Sequence, residues 1–140
     1  MNANKRGERA TQAANKAEAR ERWGNSPAWK ESQRRTAAWK KDDWARMKTE
    51  MRAIVDRIAA GMENGPEDAE VQEAVRAYHE FIDQRFYTCP ASMFLGISDL
   101  WGEDERYAAY FEGVAPGLAA FAREAVRVYV EELLLVEERY

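Results

Sequence analysis

One cysteine and one histidine in 140 residues leave little room for several large classes of chemistry. A lone Cys89 cannot close an internal disulfide, which fits a reducing cytoplasm. Cys89 and His79 together fall short of a four-ligand zinc site, and no metal or cofactor is expected. Apolar runs are short as well. The longest aliphatic stretch, Leu133 to Val136, is far from the roughly 20 residues that a membrane helix needs. The amino terminus carries basic residues with no apolar stretch behind them, unlike a secretory signal. β-Branched residues nowhere alternate with polar ones for long, and no glycine-rich phosphate loop follows a strand. Sheet folds and phosphate-loop chemistry are thereby excluded, and the expected class is all-α.

Hydrophobic residues at 46% suffice for a core, and 33% charged residues indicate one soluble domain. Four of the five tryptophans (Trp23, Trp29, Trp39 and Trp44) crowd into a stretch otherwise rich in Lys, Arg, Gln and Thr. An indole offers a large rigid face and one N–H donor, so this polar stretch is suited to close over a flat, partly polar partner. Charge is uneven too. Residues 1–48 hold 13 Lys and Arg against 6 Asp and Glu, and the rest hold 8 against 19. The plain reading is two solvated surfaces of opposite sign. With a net charge of −4 and no ordered basic face in view, no direct nucleic-acid partner is expected.

Residues 1–19 have almost no large apolar side chains and read as a flexible tail, leaving 20–140 as the domain. Ser26-Pro27 starts a helix over about 27–36, Ser as cap and Pro in the first turn. Asp42 or Asp43 caps a longer helix with Trp44, Met47, Met51, Ile54, Val55 and Ile58 at steps of three and four. Gly61, Asn64, Gly65 and Pro66 stop it. A third helix is expected over about 67–86, striped by Val71, Val75, Tyr78, Ile82 and Phe86. Cys89-Pro90 breaks the pattern. A short helix carrying Met93, Ile97, Leu100 and Trp101 follows, punctuated by Gly102. Another runs from Asp104 to Glu112, and Pro116 opens the last, with Leu118, Phe121, Ala125 and Val128 on its face. About six helices result.

Chemistry-bearing candidates are few. Cys89, just before a helix start, is either a thiolate favoured by the helix dipole or a small buried hydrophobe, the commoner fate of a free thiol. His79 is a hydrogen-bonded residue lining a cleft or satisfying a helix end. A Cys–His dyad is conceivable, but no spacing marks one. Asp99 is expected to cap the segment at Asp104. No carboxylate pair sits in an apolar setting, and nothing compels an enzyme. The rings of Tyr78, Phe86, Tyr87, Phe94, Trp101, Tyr107, Tyr110, Phe111 and Phe121 exceed what one small interior needs, which favours a ring-lined groove.

Several phrases, in order, resemble one family: Glu21-Arg22-Trp23-Gly24-Asn25-Ser26 with Ala28-Trp29, Asp42-Asp43-Trp44, Phe86-Tyr87-Thr88-Cys89, Asp104-Glu105-Arg106-Tyr107 and Ala115-Pro116-Gly117-Leu118-Ala119. Over roughly residues 20–130 the chain resembles the TipA-type antibiotic-recognition domain, the effector-binding part of some MerR-family regulators. That resemblance implies a compact, globin-like, all-helical bundle. Its cleft would hold a macrocyclic thiopeptide antibiotic, beneath an N-terminal helical lid that folds over the drug. The contacts implied are Trp23, Trp29, Trp39 and Trp44 from the lid helices, and Tyr78, His79, Phe86, Tyr87, Cys89, Met93, Tyr107 and Phe111 from the cleft. The family's drug-capturing cysteine falls on Gly96 here and Cys89 matches another, so reversible binding is expected. No helix-turn-helix precedes residue 20, which implies a free-standing binding module that sequesters or senses drug. The alternatives are a protein-interaction module, including self-association as a homodimer, and an effector subunit whose DNA-binding part is on another chain.

Overall fold

A computed structural model describes residues 26–139; the expected tail at 1–19 and the Trp23-Gly24-Asn25 turn lie outside the described residues. Among the described residues six α-helices follow one another: α1 Pro27–Thr36, α2 Lys41–Ala60, α3 Ala69–Arg85, α4 Ala91–Glu103, α5 Glu105–Val114 and α6 Leu118–Arg139. A 3-10 turn, Met62–Asn64, links α2 to α3. There is no strand among the described residues.

Every start but that of α4 carries a side-chain cap or a special turn. The Trp29 N–H donates to the Ser26 hydroxyl (3.1 Å), with Pro27 at the first helical position where no N–H is missed. Asp68 accepts from the N–H groups of Glu70 and Val71, and Asp104 from that of Arg106. α2 starts two or three residues earlier than expected. Lys40 is the cap position, and Asp43, inside the first turn, accepts from the Lys40 N–H (2.8 Å). A carboxylate in a first turn also suits the helix dipole. Gly117, at φ +84°, takes the left-handed turn that starts α6, and its N–H donates to the Glu112 carboxylate (2.5 Å).

α4 packs most extensively on α6, and α2 on α3. Val55 and Ile58 of α2, Val71, Ala74 and Val75 of α3, Phe94 of α4, and Leu118, Ala122 and Val126 of α6 form the sealed centre. Trp101 and Phe111 lie 4.7 Å apart between ring centres, joining α4 to α5. α2 is therefore body rather than lid over its second half, which corrects the expectation that the whole Trp44 helix would be movable. α1 differs: it has no buried residue, and its long-range tie is the Arg35 guanidinium donating to the Asp83 carbonyl of α3 (2.6 Å).

Two further expectations change. Asp99 does not cap α5, since Asp104 does; Asp99 pairs instead with Arg123 (3.3 Å) and draws α4 to α6. Gly102 does not punctuate α4, which runs on to Glu103. It is the place where the Arg123 side chain lies so close that any β-carbon would collide with it.

Candidate functional site

Two groups of rings reach the surface on neighbouring elements. The first forms where α1 turns into α2. The Trp39 N–H donates back to the Thr36 carbonyl (3.0 Å), bending the chain so that Trp39 lies against the end of α3. Trp39 meets Trp44 edge-on at 4.8 Å and Phe86 at 5.7 Å, and Phe86 in turn meets Phe81 at 5.9 Å. The Arg85 guanidinium sits 5.4 Å over the Phe81 ring and pairs with Glu50 of α2 (2.6 Å). Trp39 and Phe86 are half-buried, while Trp44 is 39% exposed. Rings from α2, the α1–α2 turn and the end of α3 thus form a platform with apolar faces still turned to solvent.

The second group is phenolic. Tyr78 of α3 is buried, and its hydroxyl donates to the Met51 sulfur of α2 (3.6 Å). Burial raises its pKa above the usual phenol range, and the nearby phenols of Tyr110, Tyr107 and Tyr87 add to the rise. Tyr87, half-buried in the loop after α3, is pushed up to about 12 by burial, with the Cys89 thiol and Tyr107 contributing. Tyr107 and Tyr110 are exposed and stand three residues apart, on one face of α5. Arg52 and Asp56, an exposed pair on α2 (2.9 Å), lie within electrostatic reach of Tyr110. Hydroxyl tips on a largely apolar wall suit a bulky ligand with a few polar groups.

Of the residues expected at a ligand site, Trp39, Trp44, Phe86, Tyr87 and Tyr107 fall in these two groups. Trp29 is half-buried on α1, and Met93 is exposed on the first turn of α4. Trp23 lies outside the described residues. Phe111 is corrected: at 1% exposed and packed on Trp101, it is core and offers no face to a guest. Tyr78 is likewise interior, contributing a floor at most. Cys89 follows its bland reading. It is 3% exposed, and burial, with the Asp83 carboxylate beside it, pushes its thiol up to about 11, opposite to a helix-activated thiolate.

His79 has both ring nitrogens occupied internally: Nε2 is 2.6 Å from the Cys89 carbonyl and Nδ1 is 2.8 Å from the Tyr129 hydroxyl. No free nitrogen is left for a ligand. Tyr110, one of the rings expected to line a groove but not one of the expected contacts, joins the phenolic group through its three-residue spacing from Tyr107. Asp83 was missed; it stands one helical turn after His79 and accepts from the Cys89 N–H (2.8 Å). Among the described residues, no three His, Cys, Asp or Glu come together as a metal site. Nor is any described helix long and apolar enough to cross a membrane.

Residues 16–129 match the TipAS antibiotic-recognition domain. The chain belongs to this family. The TipAS match spans α1 to α5 and the first half of α6, so both ring groups lie inside it. The HTH-type transcriptional activator mta of Bacillus subtilis is 40% identical over 114 residues, covering 81% of this chain and 44% of that protein. The HTH-type transcriptional activator TipA of Streptomyces coelicolor is 34% identical over 111 residues, 78% of this chain and again 44% of the relative. This TipAS chain therefore spans somewhat under half the length of those regulators. A solved structure of TipAS from Streptomyces lividans in complex with nosiheptide, part of a thiopeptide antibiotic multidrug resistance system, superposes with a TM-score of 0.77. It is 28% identical, covering 84% of this chain and 83% of that one.

Proposed function

We propose that this TipAS domain binds a thiopeptide-like macrocycle reversibly, between the Trp39–Trp44–Phe86 platform and the Tyr87–Tyr107–Tyr110 phenols, with α1 closing over the guest. The observation that carries the reading is the shared fold with TipAS in its nosiheptide complex, at a TM-score of 0.77. The exposed rings supply the matching chemistry. Burying roughly 400 Å² of apolar surface would contribute about 10 kcal/mol gross, at roughly 25 cal/mol per Å². Lid ordering and lost ligand freedom subtract several kcal/mol, leaving affinity in the micromolar to nanomolar range.

Reversible capture is favoured over covalent capture because the only thiol, Cys89, is buried and held protonated. No catalytic step is assigned to the domain, which would act in the cytoplasm by holding drug away from its target or reporting its presence. The reporting role draws on the relatives, both transcriptional activators. It would place this domain as the effector-sensing part of a regulator, with DNA contacts made elsewhere.

Titration with nosiheptide tests the proposal, followed by tryptophan fluorescence and calorimetry. The expected result is saturable one-to-one binding with a change in indole emission and no change in oligomeric mass. Unchanged emission and no heat at ligand concentrations up to its solubility limit would overturn it.

A further inference from the structure

The lone histidine and Asp83 stand four residues apart on α3, a spacing that puts both on one helical face. Both reach the same residue of the following loop. The Cys89 N–H donates to the Asp83 carboxylate (2.8 Å), and the Cys89 carbonyl lies 2.6 Å from His79 Nε2. A carbonyl can only accept, so Nε2 carries the proton; in the neutral ring Nδ1 then accepts from the Tyr129 hydroxyl of α6 (2.8 Å). The imidazole plane is fixed as well, stacked on Phe94 at 4.7 Å with only 7° between planes. Upstream, the Tyr87 N–H still reaches the Ile82 carbonyl at the end of α3 (3.3 Å). Downstream, the Pro90 carbonyl accepts from Phe94 as α4 begins. Both backbone polar groups of Cys89 are thus clamped between those ends, in the short loop that carries Tyr87 and follows Phe86.

Resting on the thiopeptide reading above, we infer that His79 and Asp83 are positioning residues of the ligand site. They do not touch the guest. By gripping Cys89 from its N–H and its carbonyl, they set the height and tilt at which Phe86 and Tyr87 are presented. The Cys89 carbonyl sets the imidazole tautomer, and the Tyr129 hydroxyl satisfies the ring's other nitrogen. Asp83 has a second attachment, because its own carbonyl accepts from Arg35 of α1. One residue of α3 therefore registers both the ring-bearing loop and the lid helix. The lone thiol's residue earns its place through its backbone, with its sulfur a bystander.

The variants are His79→Phe, which keeps a flat ring and loses both bonds, His79→Gln, whose amide can again donate to the Cys89 carbonyl, and Asp83→Ala. Each is studied at a temperature where circular dichroism shows it fully folded. Two readouts are made: amide exchange of residues 86–89 without ligand, and affinity for nosiheptide. Loop exchange should accelerate at least about tenfold in His79→Phe and Asp83→Ala and stay near wild type in His79→Gln. Affinity should fall about tenfold or more in the first two and largely recover in the third. A merely structural role would lower the melting temperature yet leave the affinity of the folded protein unchanged, and that result overturns the inference. So does unaltered loop exchange in both disruptive variants. If the wild type itself binds no thiopeptide, the proposed function falls, while the exchange arm still decides whether the pair holds the loop.

Discussion

Replacing Phe94 by Ala should cost about 3–5 kcal/mol of folding stability and lower the melting temperature by roughly 10–20 °C. Phe94 is fully buried at the meeting point of three helices. Its ring lies against His79 (4.7 Å), Tyr129 (5.9 Å), Tyr78 (6.1 Å) and Trp101 (6.3 Å), so truncation opens a void that four large rings cannot fill without leaving their rotamers. Trp44→Ala makes the contrast. A larger side chain is removed there, but from a site 39% exposed, where no sealed cavity is left and the loss is limited to about 2–3 kcal/mol of lost burial. Thermal melts of the two variants beside the wild type check this. A Phe94→Ala melt within about 3 °C of wild type would mean that the centre of the domain is packed differently.

A second large effect is expected in alkali. Cys89, pushed up to about 11, and Tyr87, pushed up to about 12, both hold their protons longer when folded than when unfolded. Burial raises Tyr78, Tyr110 and Tyr129 in the same direction. For such groups the unfolded chain binds fewer protons at high pH. Their contribution is therefore fully present below about pH 9 and is lost as pH climbs through the folded-state values. Ionising Tyr87 in place costs about 3 kcal/mol, and the buried Tyr78 adds to that cost. Helical ellipticity should therefore collapse cooperatively between about pH 10 and 12, with phenolate absorbance rising in the same step. Gradual phenolate appearance near pH 10 with intact ellipticity would show that these hydroxyls are not held as described.

Helix order was legible because its punctuation is chemical. Ser26-Pro27, Asp68 and Asp104 supply caps at the places where helices begin, and the three-and-four spacing of Val71, Val75, Tyr78 and Ile82 puts a buried stripe on α3. What the sequence could not divide is the ring inventory. Tyr110 and Phe111 are neighbours about 100° apart on a ten-residue helix, and only packing decides that Phe111 faces Trp101 while Tyr110 faces outward. Asp99 and Arg123 show the same limit. Their pairing depends on how α4 crosses α6, which no local pattern encodes. The His79–Asp83 spacing was readable on the helix, but its target, the backbone of Cys89, exists only once the loop has closed.

α1 carries the central claim. A ten-residue helix with no buried side chain is marginal by itself, since isolated helices shorter than about 12–15 residues barely form in water. Its capping by Ser26 and its tie through Arg35 to Asp83 leave it ordered at modest cost, so that the proposed guest would reinforce it. Amide exchange by mass spectrometry, with and without nosiheptide, measures this directly. Peptides over residues 27–36 should exchange fast in the free protein and slow by about a hundredfold or more on binding, while residues 71–82 of α3 stay protected throughout. Protection of residues 27–36 equal to that of α3 before any ligand is added, and unmoved by it, would contradict the account.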